Sequence, residues 1–438
     1  MSRLSGWGRT AAVEADVLEV TSEEQVAAAL AAALAPRGLG RSYGDAAQLA
    51  GGRVLDLRGL DAISPVSPDG LVTVGAGASL DALVRAVIPA GWFVPVTPGT
   101  RQVTLGGALA ADVHGKNHHR DGTLGAHVTR LRVISPTGIH ELTPAHGERF
   151  FVHLGAMGLT GVITEATLRL LPVSTDRVLV DTERFDDLDG VMAAMVEGDH
   201  RYRYSVAWVD CAASAQRGRA ILTRGDHARV DDVAGATLRP PRPARLAVPV
   251  TAPPGLLNAV SVAAFNELWF RRAPRRRVGE PQRLETFFHP LDGVRDWNRL
   301  YGPRGLVQYQ FAVPDDAAET VRTAVSRLAA SRVPRFLAVL KRFGAANPAP
   351  LSFPQPGWTL ALDLPVGPPA LPGLLDDLDA LVVAAGGRVY LAKDARLAPA
   401  TVRAMYPRLG DFAALAARFD PEHRLTSDLD RRLRLREG

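Results

Sequence analysis

The sequence predicts an α+β fold in two parts, on three observations. Its 438 residues are too many for one ordinary core and suit two domains. Over the first 172 residues, short strand patterns and capped helices alternate without the spacing of a regular βαβ array. Residues 174–390 then carry four strand patterns and two helical ones, which suits a sheet covered on one face by helices.

The elements follow in order. Residues 17–20 read as a strand, and Thr21 with Glu24 three residues on reads as a capping box opening an Ala-rich helix to about residue 34. Residues 53–57 and 71–75 read as strands. Ser79 caps a helix running to about Pro89, which Gly91 ends. Residues 127–134 and 139–142 flank Ser135-Pro-Thr-Gly138, a hairpin turn, and 162–171 alternates as a half-buried strand. In the second region, strands are expected at 202–209, 305–313, 336–340 and 358–364, and helices at 317–330 and 372–385.

Residues 239–283 differ in composition. Pro240, Pro241, Pro243, Pro249, Pro253 and Pro254 are followed by Arg271, Arg272, Arg275, Arg276 and Arg277, with Trp269 and Phe270 just before the arginines. This reads as a mobile surface insertion. Basic residues beside aromatics suit a lipid headgroup surface, and they equally suit a solvated loop. The last stretch, 392–438, reads as polar and helical, with turns of helix at 401–405 and 411–419.

Composition limits the function classes. Hydrophobic residues make up 47% and charged residues 22%, as in ordinary globular proteins. The formal charge of +5, mostly arginine, suits nucleic acid, an anionic membrane or a phosphorylated substrate. No nucleic-acid module accompanies it. Cys211 is the only cysteine, which excludes an intrachain disulfide and a cysteine-based metal cluster. The N-terminus lacks a signal-peptide pattern, and no run approaches the ~18–20 apolar residues of a membrane span, so membrane contact is expected to be peripheral.

Five strings could carry chemistry. Arg37-Gly-Leu-Gly-Arg-Ser-Tyr-Gly-Asp45 places three glycines where backbone N–H groups can approach a phosphate, though a structural turn asks for the same residues. Its spacing is not that of a Rossmann loop. Thr97-Pro-Gly-Thr-Arg-Gln-Val-Thr-Leu-Gly-Gly107 adds Gly99, Gly106 and Gly107, the hydroxyls of Thr100 and Thr104, and a helix expected to open near Thr104 with an anion-binding N-terminus. Two such loops suit a pyrophosphate. Val113-His-Gly-Lys-Asn-His-His119 is cationic and follows an apolar helix; no carboxylate or cysteine accompanies its histidines at metal-ligand spacing, and no metal is expected. Gly158 and Gly161 precede an alternating strand, where open backbone groups could meet a flat heterocycle. Lys393, in Tyr390-Leu-Ala-Lys-Asp394, could stabilise an anionic intermediate or a phosphate. There is no G-x-S-x-G, H-E-x-x-H or Walker loop.

Taken in order, these strings resemble the FAD-linked oxidoreductases with a vanillyl-alcohol-oxidase (PCMH) type of flavin domain, and within them the decaprenylphosphoryl-β-D-ribose 2′-oxidases. The resemblance runs over nearly the whole chain. It includes Leu4-Ser-Gly-Trp-Gly-Arg9, His289-Pro-Leu-Asp292, Gln308-Tyr-Gln-Phe311, Pro350-Leu-Ser-Phe353 and Met405-Tyr-Pro-Arg408.

The resemblance implies an FAD domain from residues 1–173, completed by 388–438, around a substrate domain at 174–387 built on an antiparallel sheet with helices. It implies oxidation of the 2′-hydroxyl of a polyprenylphosphoryl-β-D-ribose to a keto sugar, in arabinan and cell-wall synthesis. An oxygen-using alditol or aldonolactone oxidase is the alternative. FAD would be held by Gly38, Leu39, Gly40, Arg41, Ser42 and Tyr43, by Gly99, Thr100, Thr104, Gly106 and Gly107, and by His114, Gly115, Asn117, Gly158, Gly161, Val162 and Lys393. It would be non-covalent, because Arg41 stands where related oxidases carry a linking histidine. Lys393 and His114 are the implied catalytic residues, and the proton acceptor is left open. Lys116, Gln308, Gln310, Lys341, Phe288, Thr359 and Ala361 would line the substrate side. Ala361 replaces the family's active-site cysteine, Phe288 a tyrosine and Thr359 an asparagine, which leaves the exact sugar open. A quinone-type acceptor, a short-chain-type keto-sugar reductase as partner and a peripheral place at the plasma membrane, on either side, are also implied.

Overall fold

The computed structural model describes residues 1–211, 218–244, 246–331, 333–335 and 337–437. Two small sheets form the N-terminal part. One has the strand order Ser2–Ser5, Ala12–Glu19, Arg53–Asp56, Leu34–Arg37; its first pair is antiparallel and its others parallel. The other is antiparallel, in the order Leu71–Gly75, Val162–Arg169, Val128–Ser135, Gly138–Leu142. Its last pair is the expected hairpin, with Ser135 opposite Gly138.

The first helix departs from expectation. Ser22, not Thr21, is its cap, accepting from Gln25 N, and the helix spans only Glu23–Ala29. Leu34 cannot belong to it because that residue starts a strand in register with Arg53. Ser79 does cap Leu80–Val87, and Gly91 turns the chain out at φ +84°.

The second part is an eight-stranded antiparallel sheet. Its order is Arg276–Arg283, Arg177–Phe185, Ala220–His227, Tyr204–Val209, Ala338–Phe343, Gly357–Pro365, Leu306–Pro314, Arg388–Val389. Helices Ala318–Ser331 and Leu371–Ala384 pack on its back, where Tyr309 Oη donates to Asp379 Oδ1 at 2.9 Å. The expected strand from 336 begins at Ala338; Phe336 lies outside the described residues.

The reading of 239–283 as a loop insertion is corrected. Its end is the edge strand Arg276–Arg283, in register with Arg177–Phe185, and it contains the helix Ala259–Arg272. Charged side chains masked this strand, since an edge strand tolerates arginine where a central one does not. Arg245 and Gly438 lie outside the described residues.

The chain's end returns to its beginning. Leu34 N donates to Arg424 O, and Thr426 N to Leu34 O. On the terminal helix Asp428–Leu433, Arg432 forks onto Asp45 at 2.8 and 2.9 Å and pairs with Asp394 at 2.9 Å.

Candidate active site

Between the glycine loops and the front of the large sheet lies a cavity of about 570 Å³, within the usual size of a ligand pocket. In the first loop, Gly40 takes φ +62° and packs on the Arg37 guanidinium, where a Cβ would collide at 2.1 Å. Arg37 anchors the turn by donating to Ala47 O at 2.7 Å and Ser5 O at 2.9 Å. Among the described residues, the backbone N–H groups of Leu39, Gly40, Arg41 and Ser42 donate to no other protein group. All four residues line the cavity. Consecutive free N–H groups at a concave wall are strong anion donors, and they are costly to leave without a ligand or water.

The second loop is braced by Asp292. Thr100 Oγ1 donates to Asp292 Oδ1 at 2.6 Å, and Arg101 N to Asp292 Oδ2 at 2.8 Å. Gly99 faces open space: a Cβ there would meet nothing within 4 Å. The expected anion site at the helix opened by Thr104 is corrected. Helix Leu105–Ala110 does start there, but its first N–H groups are spent. Leu105 N donates to Ala78 O, Gly106 N to Ala76 O, and Gly107 N to Thr104 Oγ1. Thr104, Gly106 and Gly107 line the cavity as close-packed wall.

The opposite wall follows from the two-residue repeat of strands. On the three central strands, Gln308, Gln310 and Ala312 pair with Asp363, Ala361 and Thr359. Ala361 and Thr359 pair in turn with Val339 and Lys341. Cross-strand partners share a face, so Gln308, Gln310, Thr359, Ala361 and Lys341 stand on one face. All but Thr359 reach the cavity wall. Thr359 is fully buried; its Oγ1 donates to Phe311 O and accepts from Gln310 Nε2.

The chain has three lysines among its 51 basic residues; two stand on the cavity wall and the third, Lys116, lies near enough to act on Lys341. Lys341 and Lys393 line the cavity. Burial, with Lys393 and Lys116 nearby, brings the Lys341 ammonium down to about 7. Burial lowers Lys116 to about 7 and Lys393 to about 8, the latter partly offset by the Asp363 carboxylate. Lys393 Nζ sits 4.6 Å from the Tyr43 ring centroid. Asp363 is itself buried, hydrogen-bonded by Gln308, and raised to about 6 by desolvation. His114 is held neutral, well below its ordinary range, by burial and by Lys341, His118 and Lys393.

Several expected residues stand behind the wall. Lys116 Nζ donates to Phe287 O and lies 4.3 Å from the Phe287 ring centroid. Asn117 bonds Pro95 O and Asp121, Gly115 packs against Thr97 and Asn117, and Val162 belongs to a core cluster with Ile134. Phe288 is core, packed on Phe93 and Tyr204. Gly158 (φ +81°) and Gly161 (φ +152°) do line the cavity, as do Gly38, Tyr43 and His114.

Sequence reasoning missed Asp363, which reads as an ordinary strand residue until its pairing with Gln308 is known. It also gave no role to Trp7, whose ring lies 3.9 Å from the Arg41 guanidinium and edge-on to Trp297. The glycines flanking Trp7 were the available signal: a Cβ on Gly6 or Gly8 would strike backbone oxygens of Gly44 and Leu306.

Residues 15–143 match the FAD binding domain family model. With the free N–H row and a cavity of suitable size, the residues present fit the cofactor, and fold and site together define an FAD-dependent oxidoreductase. The chain is 40% identical to a decaprenylphosphoryl-β-D-ribose oxidase of Mycolicibacterium smegmatis, over 99% of this chain and 97% of that one. It is 25% identical to an L-gulono-1,4-lactone dehydrogenase of Mycobacterium tuberculosis over 98% of each chain. To an alditol oxidase of a Streptomyces species it is 26% identical, over 81% of this chain and 79% of that one. The protein belongs to the decaprenylphosphoryl-β-D-ribose oxidase family.

Proposed function

We propose that the protein oxidises the 2′-hydroxyl of a polyprenylphosphoryl-β-D-ribose to the 2′-keto sugar, the first half of an epimerisation to the arabinose donor used in cell-wall arabinan. The observation that carries this reading is the clustering of the chain's three lysines, Lys341 and Lys393 on the cavity wall and Lys116 behind it, close enough for both others to lower Lys341. Elsewhere the chain meets its need for positive charge with arginine. A compact ammonium that neutralises readily is placed only here.

We assign the FAD domain to residues 1–173 and 388–438 and the substrate domain to 174–387. Bound in the cavity, FAD would supply the two-electron acceptor for the hydrogen leaving the carbinol carbon. The N–H row at 39–42 would hold its pyrophosphate, without a covalent link, since Arg41 carries no group suited to one. Lys393 supplies positive charge to the anionic ligands. Gln308 and Gln310 orient the sugar, and His114 helps from its free Nδ1. The hydroxyl proton passes to Lys341 Nζ, whose ammonium burial brings down to about 7.

The product keto sugar calls for a reductase, which we expect to be a short-chain-type partner. The acceptor that reoxidises the enzyme is expected to be a quinone, since quinone and polyprenyl tail share the bilayer. No helix among the described residues is long and apolar enough to cross a membrane, and we place the enzyme at the plasma-membrane surface.

The test is an anaerobic titration of the holoenzyme with polyprenylphosphoryl ribose. The flavin band near ~450 nm is expected to bleach in proportion to the ligand added. Bleaching by a free alditol or aldonolactone, with none by the lipid-phosphate sugar, would overturn the reading.

A further inference from the structure

The helix Ala259–Arg272 is held to the body by a narrow strip. Val262 and Asn266, one turn apart, are its buried residues. Asn266 Nδ2 donates to Asp210 Oδ1 at 2.8 Å, and Glu267 pairs with Arg219 at 2.7 Å. A second ridge at the same spacing, Val260, Ala264 and Leu268, turns the other way. Val260 is 79% exposed, Leu268 67% and Trp269 47%. These are not scattered exposures. Among the described residues thirteen large apolar side chains are exposed, and eight of them fall within residues 246–278. Concentrated exposure of this kind marks a contact surface.

Charge says what the surface meets. Arg271 is paired with Glu267 and Arg277 with Glu280. Arg272, Arg275 and Arg276 have no carboxylate partner among the described residues. An apolar ridge with a tryptophan at its border, ending in unneutralised arginines, has the layout of a helix lying in a headgroup layer. A second copy docked symmetrically on this face would bring two arginine clusters together. The same segment also reaches the cavity: Pro243 and Ala244 line it, and Arg242 O accepts from Arg101.

We propose that this helix, with Leu268 and Trp269 inserted and Arg272, Arg275 and Arg276 on lipid phosphates, docks the enzyme on an anionic bilayer and sets the cavity mouth beside it. This rests on the reading that the substrate sugar rides on a polyprenyl phosphate. It adds the surface by which that substrate is reached.

The experiment compares co-sedimentation of the full-length holoenzyme with phosphatidylglycerol-containing vesicles and with vesicles of phosphatidylcholine alone. Preferential binding to the anionic vesicles, reduced by salt, is expected. The double substitution Leu268→Asp, Trp269→Asp should weaken that binding at least about tenfold, and Val260→Asp should weaken it independently. Each variant should keep its flavin and oxidise a short-chain, water-soluble prenylphosphoryl ribose at the wild-type rate, which shows that it has folded. Wild-type protein that ignores anionic vesicles, or acidic variants that bind as well as wild type, would overturn the proposal. So would a dimer in solution that the same substitutions dissolve. Failure to oxidise the short-chain substrate while vesicle binding persists would instead count against the proposed function.

Discussion

Gln310 Nε2 and His114 Nε2 meet at 2.9 Å, joining the large sheet to the segment that follows helix Leu105–Ala110. The amide nitrogen can only donate, so His114 Nε2 accepts and its proton sits on Nδ1. That Nδ1 is buried and has no protein partner. His114 is therefore a fixed, neutral donor and is unsuited to taking the substrate's proton. Replacing Gln310 with Leu frees the tautomer and leaves Nε2 buried and unpaired, a cost of about 1–3 kcal/mol. We expect kcat/KM to fall about tenfold or more, measured by stopped-flow bleaching, with flavin content unchanged.

Two glycines separate folding from cofactor binding. A Cβ on Gly38 would lie 2.1 Å from Thr104 Oγ1, which is already committed to Gly107 N. Gly38→Ala should therefore displace the loop and yield protein with little flavin. Gly99→Ala meets nothing in the protein. Its melting temperature without FAD should match wild type, while FAD affinity drops about tenfold, read from absorbance during dialysis.

The lysines set a pH dependence. Lys116 and Lys341 titrate near 7 and Lys393 near 8 in the folded protein, against 10.5 ordinarily. Between about pH 7 and 10 the unfolded chain then binds more protons than the folded one, so stability rises with pH. The penalty is complete below pH 7 and fades above it. Melting of the FAD-free protein should shift upward from pH 7 to 9, and Lys341→Met should flatten that slope. KM for the phosphorylated substrate should rise over the same interval as the ammonium groups neutralise.

Ala361 lies on the cavity wall directly opposite Gln310 on the neighbouring strand. The one cysteine, Cys211, is buried, with its thiol pushed up to about 12. A thiol-reactive electrophile that enters the cavity therefore finds no cysteine on its wall. Intact mass spectrometry after turnover should show no adduct on the wild-type protein and one on Ala361→Cys.

The sequence made the front of the sheet legible because strands repeat every two residues. Gln308 and Gln310 had to share a face, and Ala361 took its place once its strand was read. The strands Arg177–Phe185, Ala220–His227 and Arg276–Arg283 went unread. Their charged residues break the apolar alternation that marks a half-buried strand, and what holds them is pairing with distant partners. The glycine loops announced a phosphate site, but which N–H groups remained free depended on contacts no local pattern reveals. Ala76 and Ala78, in the turn before Ser79, take the helix N–H groups that seemed most available. Lys116 and Phe288 were placed on the substrate side from position in a motif, whereas packing against Phe287 and Phe93 decides where they point.

The clasp of Arg432 on Asp45, which Asp394 shares, joins groups 387 residues apart in the chain. The first glycine turn is thus locked only once residue 432 has been synthesised. Capture of the flavin is then expected to be completed only after residues 428–433 have left the ribosome. A nascent chain stalled short of residue 428 should be colourless, and a bulky insertion just after Leu433 should threaten cofactor loading well before it threatens the fold of the large sheet.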